Sequence, residues 1–335
     1  MLKDLCLLNG TSGDESRVRE YIISQIKDYC EYRIDALGSI IAFKKGKETP
    51  SKKVSLNAHM DEVGFIVTGI TDEGYLRFGT VGGIDSRVCI DRVVSIGQNG
   101  VKGVIGDKAF HLLDADERKK CPDFDKLLID IGATSKEEAQ QAVSLGDFIY
   151  FESDYSEFGN GFIKAKALDD RVGCMLLIEL IQSELAYDTY FCFNVQEEVG
   201  LRGAGCTAYS VGADVAVILE ATTAADLDGV TGSDRVCVLG DGPVISFMDR
   251  RTIYPKDLFD LGFAVAKENG IPVQTKTAVA GGNDAGAIQR SGAGARVMAI
   301  SVPSRYIHSG ASVIKKSDID HMRKLLHALL PKLYD

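Results

Sequence analysis

The sequence contains no tryptophan, so it lacks the broad indole surface on which sugar rings stack. Its eight cysteines are scattered singly, in apolar contexts such as VGCMLL and YFCFNV, and no C-x-x-C pair occurs. Neither a zinc knuckle nor a disulfide framework is indicated, and buried free thiols in a reducing cytoplasm are the expectation. Lysine and arginine form no long block and the formal net charge is -10, which argues against a nucleic-acid phosphate backbone as partner. No apolar window approaches the length of a membrane span, and the apolar N-terminal stretch is too short and interrupted for a signal peptide. G-x-S-x-G and H-E-x-x-H are both missing, which sets aside the serine-elbow hydrolases and the single-helix zinc proteases. Only five histidines are present.

What remains is a chain of 335 residues, 45% hydrophobic, long enough for a large core and two domains. Ser12-Gly13-Asp14-Glu15 has the form of a capping box opening a helix through SRVREYIISQIKDY. Strands are expected near 32–34, 39–44 and 53–58. From about Val63 to Phe158 short alternating runs such as GFIVTGI, GYLRFGTV and GVKGVIG are separated by turn residues, the pattern of an antiparallel barrel or small sandwich. One helix, 135–144, with Ser135 and Glu138 as a second capping box, interrupts it. Strand-helix alternation then returns, with a helix at 169–183, strands near 189–196, 215–219 and 296–302, and helices at 256–269, after Asp284 and at 317–330. The expected fold is therefore α/β, a domain of residues 1–62 and 159–335 split by an inserted β-rich block at 63–158.

In an open α/β sheet ligands bind beyond the carboxyl ends of the strands. His59 follows VSLNA, Glu197 and Glu198 follow YFCFNVQ, Glu220 follows VAVIL, and His308 comes after ARVMAISV. Asp169 and Asp170 open a predicted helix, where anions are favoured. Taken singly, each has an ordinary reading: a loop histidine, a solvated strand-end acid, a helix cap. Together they form a concentration of carboxylates with no lysine or arginine interspersed, which repel one another and are costly to bury unless neutralised. Two divalent cations would resolve this. Three carboxylates and two neutral imidazoles around two such ions leave a charge of about +1, suited to holding hydroxide, and the donors fit Zn²⁺ or Co²⁺, with Mn²⁺ also compatible.

NAHMDEVG (57–64), KALDDRVG (166–173), QEEVGLRGA (196–204), ILEAT (218–222), GGNDAG (281–286) and SRYIHS (304–309) occur in that order. This ordered set resembles the M42 metallo-aminopeptidases, including the glutamyl and tetrahedral TET-type enzymes, over essentially the whole chain. The resemblance implies a three-layer α/β/α zinc-peptidase-like catalytic domain interrupted by a small β-barrel used for dimerisation. It implies cytoplasmic dimers that assemble into a tetrahedral dodecamer and act on peptides. It makes His59 and Glu220 ligands of the first metal, Glu198 and His308 ligands of the second, and Asp169 the bridge. Glu197 becomes the general base on a metal-bridging water, Asp61 orients His59, and Gly281, Gly282 and Asp284 border the substrate pocket. Glu220 stands where many members have aspartate, Asn283 replaces a usual threonine, and IHSGAS lacks a proline and glutamate common after His-Ser. These departures leave metal geometry and substrate preference open. Arg250-Arg251 would favour acidic side chains if one reached the pocket, although surface charge is the commoner fate of such a pair.

Three rival readings stand beside this one. A deacylase of small N-acyl substrates would use the same chemistry. A glycoside hydrolase would need the paired acids but not His59 or His308. A non-enzymatic metal-binding scaffold would keep the ligands without needing Glu197.

Overall fold

A computed structural model describes residues 1–334; Asp335, the last residue of the expected catalytic segment, lies outside them. The chain opens with α1 (Leu2–Leu7) and α2 (Ser16–Ile26), then strands β1 (Glu31–Ile34), β2 (Ile40–Lys44) and β3 (Val54–His59). The β-rich block follows: β4 (Gly64–Ile70), β5 (Leu76–Val81), β6 (Val93–Ile96), β7 (Val101–Gly106), β8 (Leu128–Asp130), helix α3 (Lys136–Ala142) and β9 (Phe148–Phe151). After it come β10 (Ser156–Phe158), β11 (Phe162–Ala165), α4 (Leu168–Gln182), β12 (Thr189–Asn194), α5 (Arg202–Val211) and β13 (Val215–Thr223). The last stretch holds β14 (Val244–Ile245), α6 (Lys256–Glu268), α7 (Ala285–Ile288), β15 (Arg296–Ser304), β16 (Ser312–Lys315) and α8 (Lys316–Leu329).

Seven strands form the central sheet in the order β1-β2-β12-β3-β13-β15-β14. The inner four, β12, β3, β13 and β15, run parallel. They read as continuous apolar runs because both faces are covered. One face carries α1, α2, α4, α6 and α8 over the largest core cluster. The other carries α5 and α7, packed through Leu201, Ala204, Ala285 and Ile288 onto Ala216, Ile218 and Ala299. The result is the expected α/β/α arrangement.

The β-rich block closes into a six-stranded barrel, β4-β5-β8-β7-β6-β9. Phe65 sits at its centre, with ring centroids 5.1 Å from both Phe78 and Phe151. Closure removes the exposed strand edges that an open meander would carry. β10 precedes residue 159 yet pairs with β11, which pairs with β16; this small three-stranded sheet belongs to the α/β body.

Two expectations change in detail. Ser12 and Glu15 do not form a capping box. α2 has no side-chain cap; Ser12 Oγ donates to Asp61 Oδ2 at 2.6 Å, and Glu15 Oε1 accepts from Gly13 N and Gln196 N. Long-range polar partners outcompete the local bond. β13 also runs to Thr223, so Glu220 lies within the strand rather than after it.

A buried ion cluster locks the barrel entrance to the body. Glu62 Oε1 accepts from Lys166 Nζ at 2.8 Å and from Gly10 N at 3.0 Å, and lies 3.5 Å from Arg171 Nη2. Arg171 also donates to Met60 O and Leu5 O. Gly10 permits this approach, since a Cβ there would stand 2.6 Å from Arg171 Nη2. Glu62→Ala strands two buried cations and is expected to cost about 3–5 kcal/mol. Urea denaturation checks this, and a loss below about 1 kcal/mol would contradict it. Among the described residues no helix is long and apolar enough to cross a membrane.

Candidate active site

The parallel strands deliver their polar residues to one edge. β12 and β3 end together, Asn194 opposite His59. Ile218 of β13 pairs with Asn57 of β3, so two residues further on Glu220 comes alongside His59, on the same face by the period of a strand. His59 Nε2 lies 3.2 Å from Asp169 Oδ1 and 3.7 Å from Glu220 Oε2. His308 Nε2 lies 3.5 Å from Asp169 Oδ2 and 3.3 Å from Glu198 Oε2. His59, Asp169 and Glu220 form one potential ligand group and Asp169, Glu198 and His308 a second, the donor atoms of each within 4.8 Å. Asp169 is common to both. Glu197 belongs to neither, although it lines the same cavity.

Local backbone geometry sets these directions. Asp169 and Asp170 sit at the start of α4 with non-helical ψ angles of 110° and 44°, which turns the Asp169 carboxylate out of the helix. Seven described residues other than glycine have positive φ. Six of them, Ala167, Gln196, Leu201, Val236, Tyr306 and His308, flank, line or belong to the site. Such conformations cost energy and persist where surroundings impose them. Asp61 supplies part of that restraint: its two carboxylate oxygens accept from Glu197 N at 3.0 Å and Glu198 N at 3.1 Å. One buried side chain therefore fixes both glutamates and, 3.3 Å from Nδ1 of His59, the imidazole too. Ser309 Oγ and Ser312 Oγ both donate to Tyr306 O, which pins the loop carrying His308.

Tautomer arguments bear on whether cations fit. His308 Nδ1 is 2.7 Å from Gly83 O and His59 Nδ1 is 3.1 Å from Asp61 O. A carbonyl only accepts, so each Nδ1 donates. In a neutral ring Nε2 then turns a lone pair toward carboxylate oxygens, which repels. Either a proton, carried by the ring or by a facing acid, or a cation lies between each ring and its acids. The buried Glu220 Oε1 also has no hydrogen-bond partner, an expensive state for a carboxylate unless a cation satisfies it. The donor set of imidazole and carboxylate suits Zn²⁺-like ions.

Without cations the same crowding moves proton affinities. Burial and the nearby Asp169 push Glu198 up to about 7, with His308 opposing. Burial and Asp169 push Glu220 up to about 8 against the pull of His59. Burial raises Asp284 to about 7. Burial also raises Glu197 well above the usual carboxylate range, reinforced by Glu220 and Glu198. Burial disfavours a charged His308, but Asp169 and Glu198 outweigh it and lift the ring to about 9. The carboxyl of Asp169 falls instead, since the two imidazoles overcome its burial.

All the residues named as ligands thus come together, with Glu197 and Asp61 beside them. Gly281 and Gly282 line a cavity of about 510 Å³ that reaches Asp169, Glu197, Glu198, Glu220 and His308. Asp284 lies behind that wall, buried, accepting from Asn194 Nδ2 at 2.8 Å. Four participants were not anticipated. The Gly83 carbonyl comes from the barrel, and its contact with His308 spans 225 positions with no local signal. Ser12 and Glu15 had a signal, S-x-x-E, that pointed to a cap instead. Lys276, also on the cavity wall, stands in an aperiodic stretch.

The model of the M42 glutamyl aminopeptidase family matches residues 38–325. An aminopeptidase from Acetivibrio thermocellus, itself assigned only provisionally, is 40% identical over 97% of this chain and 96% of its own length. The TET aminopeptidase of the marine sediment archaeon Thaumarchaeota archaeon SCGC AB-539-E09 superposes with a TM-score of 0.94 at 37% identity, over 99% of this chain and 95% of that one. The TET1 peptidase of Pyrococcus horikoshii, which can assemble into a tetrahedron or a large octahedral shell, gives a TM-score of 0.86 at 38% identity, covering 98% and 97%.

Protons held by the raised acids and by His308 in metal-free protein must leave when a cation takes their place. Calorimetric titration of Zn²⁺ at pH 7, in buffers of different ionisation enthalpy, is expected to show net proton release that shrinks as pH rises past about 9. No release at pH 7 would contradict the arrangement.

Proposed function

The chain belongs to the M42 glutamyl aminopeptidase family and is an aminopeptidase, a hydrolase of the metallo-peptidase type; from that premise we propose that it removes N-terminal residues from peptides at a two-metal centre with Glu197 as general base. The observation that carries this reading is the pair of ligand groups sharing Asp169, with Glu197 alongside but in neither. His59, Asp169 and Glu220 would hold one divalent cation, and Asp169, Glu198 and His308 the other. Zn²⁺ or Co²⁺ suits these donors, and Mn²⁺ is compatible. When bound, such ions supply charge stabilisation to the scissile carbonyl and lower the pKa of water to about 7.

The remaining work belongs to the chain. Glu197 takes a proton from the attacking water on one of its carboxylate oxygens and passes it to the departing amine. Burial and the neighbouring acids raise its affinity for that proton, which favours a group that must both accept and release near neutral pH. Asp61 keeps Glu197 and Glu198 diverging through its two backbone bonds and holds His59 by its Nδ1 face. Gly281 and Gly282 form the wall beside the substrate, and Asp284 supports it through Asn194, whose Oδ1 accepts from Thr207.

Residues 1–62 and 159–335, together with β10 (Ser156–Phe158), are assigned to the catalytic domain, and the rest of 63–158 to an inserted dimerisation domain. Self-association into dimers and a tetrahedral dodecamer is supported by the close likeness, over nearly the full chain, to a peptidase that assembles into a tetrahedron.

Metal-replete Glu197→Gln is expected to keep its metal but lose kcat by about 10²–10⁴, measured on aminoacyl-p-nitroanilides. Near-normal kcat would remove Glu197 from its role. Chelation should abolish wild-type turnover. An N-acetylated anilide tested beside its free-amine counterpart should resist cleavage; preference for the acetylated compound would favour a deacylase.

A further inference from the structure

Ser12 and Glu15 do not serve the helix they precede, since α2 has no side-chain cap. Both are buried, 5% and 4% exposed. A carboxylate at that depth is costly unless donors surround it. Burial pushes Glu15 up to about 7, although the Gly13 amide pulls the other way. The turn that carries the two residues is anchored independently of the site. Ser12 N donates to Glu62 O at 3.2 Å and Glu62 N to Gly10 O at 3.0 Å. Asp14 Oδ2 accepts from Tyr150 Oη and Gln98 Nε2 of the barrel. Gly13, at φ 98°, closes the turn, and its amide donates to Glu15 Oε1 at 2.8 Å.

Three consecutive amides of the glutamate loop end on two acidic side chains. Gln196 N donates to Glu15 Oε1 at 3.2 Å, Glu197 N to Asp61 Oδ1 and Glu198 N to Asp61 Oδ2. Ser12 Oγ donates to that second oxygen of Asp61 at 2.6 Å. The carbonyls of the loop are held from the other side: Val195 O accepts from Gly203 N, Gln196 O from Arg202 N, and Glu197 O from Gly200 N and Leu201 N. Gln196 has a φ of 57°, a conformation that a residue with a Cβ adopts only under restraint. Without an acceptor for its amide, the peptide unit between Val195 and Gln196 is free to rotate, and Glu197 is the next residue along.

We propose that Ser12 and Glu15 are positioning residues for the general base: acting through Asp61 and through the Gln196 amide, they hold the loop so that Glu197 faces the cavity. This deepens the proposed aminopeptidase reading and rests on it, since the role exists only if Glu197 moves the proton. Neither residue lines the cavity, so the effect falls on turnover and not on substrate binding. The partner of Glu15 is an N–H donor, so position 15 needs an oxygen acceptor and not a negative charge. Proton transfer depends steeply on the placement of the base, so a small drift of the loop is expressed in kcat.

The test uses metal-loaded protein and the aminoacyl-p-nitroanilide that wild type cleaves fastest. Glu15→Ala is expected to lower kcat by about 10–100-fold with KM and metal content held. Glu15→Gln keeps an acceptor oxygen and should recover most of that loss, and Ser12→Ala should lower kcat by about 3–10-fold. In the Glu197→Gln background there is no base left to position, so adding Glu15→Ala should leave the residual kcat nearly as it was. Should Glu15→Ala fail to fold, Glu15→Met fills the same space without an acceptor and carries the same expectation; should both fail, wild-type kcat in Ser12→Ala overturns the inference. Wild-type kcat in Glu15→Ala, a Glu15→Gln variant no better than Glu15→Ala, a loss expressed in KM or metal content, or the same fold loss in the Glu197→Gln background also overturns it. Each of these leaves the aminopeptidase reading standing. Failure of metal-loaded wild type to cleave any aminoacyl anilide overturns that reading, and the inference with it.

Discussion

The carboxylate of Asp169 lies between two imidazoles, with Nε2 of His59 on one oxygen and Nε2 of His308 on the other. Much of the site's construction serves this arrangement. Glu198, Glu220 and Asp170 crowd the same buried space, and like charges there can coexist only with positive charge between them. The Nδ1 atoms of both histidines are committed to carbonyl acceptors, so the rings turn their remaining nitrogens inward. Protons can satisfy that geometry in the free protein, and divalent cations can replace them. The fold thus stores a charge imbalance whose natural complement is metal.

Holding the imbalance in register requires rigid elements and long-range polar contacts. His59 and Glu220 are aligned by the pairing of two parallel strands. Glu197 and Glu198 are fixed through Asp61, itself bonded to Ser12 near the N-terminus. His308 is steadied by Gly83 of the barrel. The last contact gives the inserted barrel a part in the site beyond any role in association. The Glu62, Lys166 and Arg171 cluster sits where the chain enters the barrel, tying the same junction from below. Division of labour between adjacent glutamates follows from their attachment: both amides point to one carboxylate, so the side chains part, Glu198 toward His308 and Glu197 toward the open cavity.

Much of this was legible in the sequence because it is periodic or local. Unbroken apolar runs gave the parallel strands, alternation gave the barrel, and strand ends located His59, Glu197 and Glu198. The ordered motifs added roles that spacing could not supply. What escaped was long-range and polar. Ser12-Gly13-Asp14-Glu15 carries a genuine capping pattern, yet Asp61 and Gln196, distant in sequence, claim those side chains. Glu220 was expected beyond its strand; pairing with β15 extends β13 to Thr223 and carries the glutamate inside it. Gly83 and Lys276 reach the site on loops whose course no periodicity encodes. Arg250 and Arg251 looked equivalent in sequence, and only the turn held by Asp249 and the bare glycine wall distinguish the residue that faces the cavity.

The central claim is that two cations share Asp169. Anomalous X-ray scattering from crystals grown with Zn²⁺ tests it most directly. The account predicts two peaks per chain, one among His59, Asp169 and Glu220 and the other among Asp169, Glu198 and His308, with Glu197 bound to neither. A single peak, or two that do not have Asp169 in common, would contradict it.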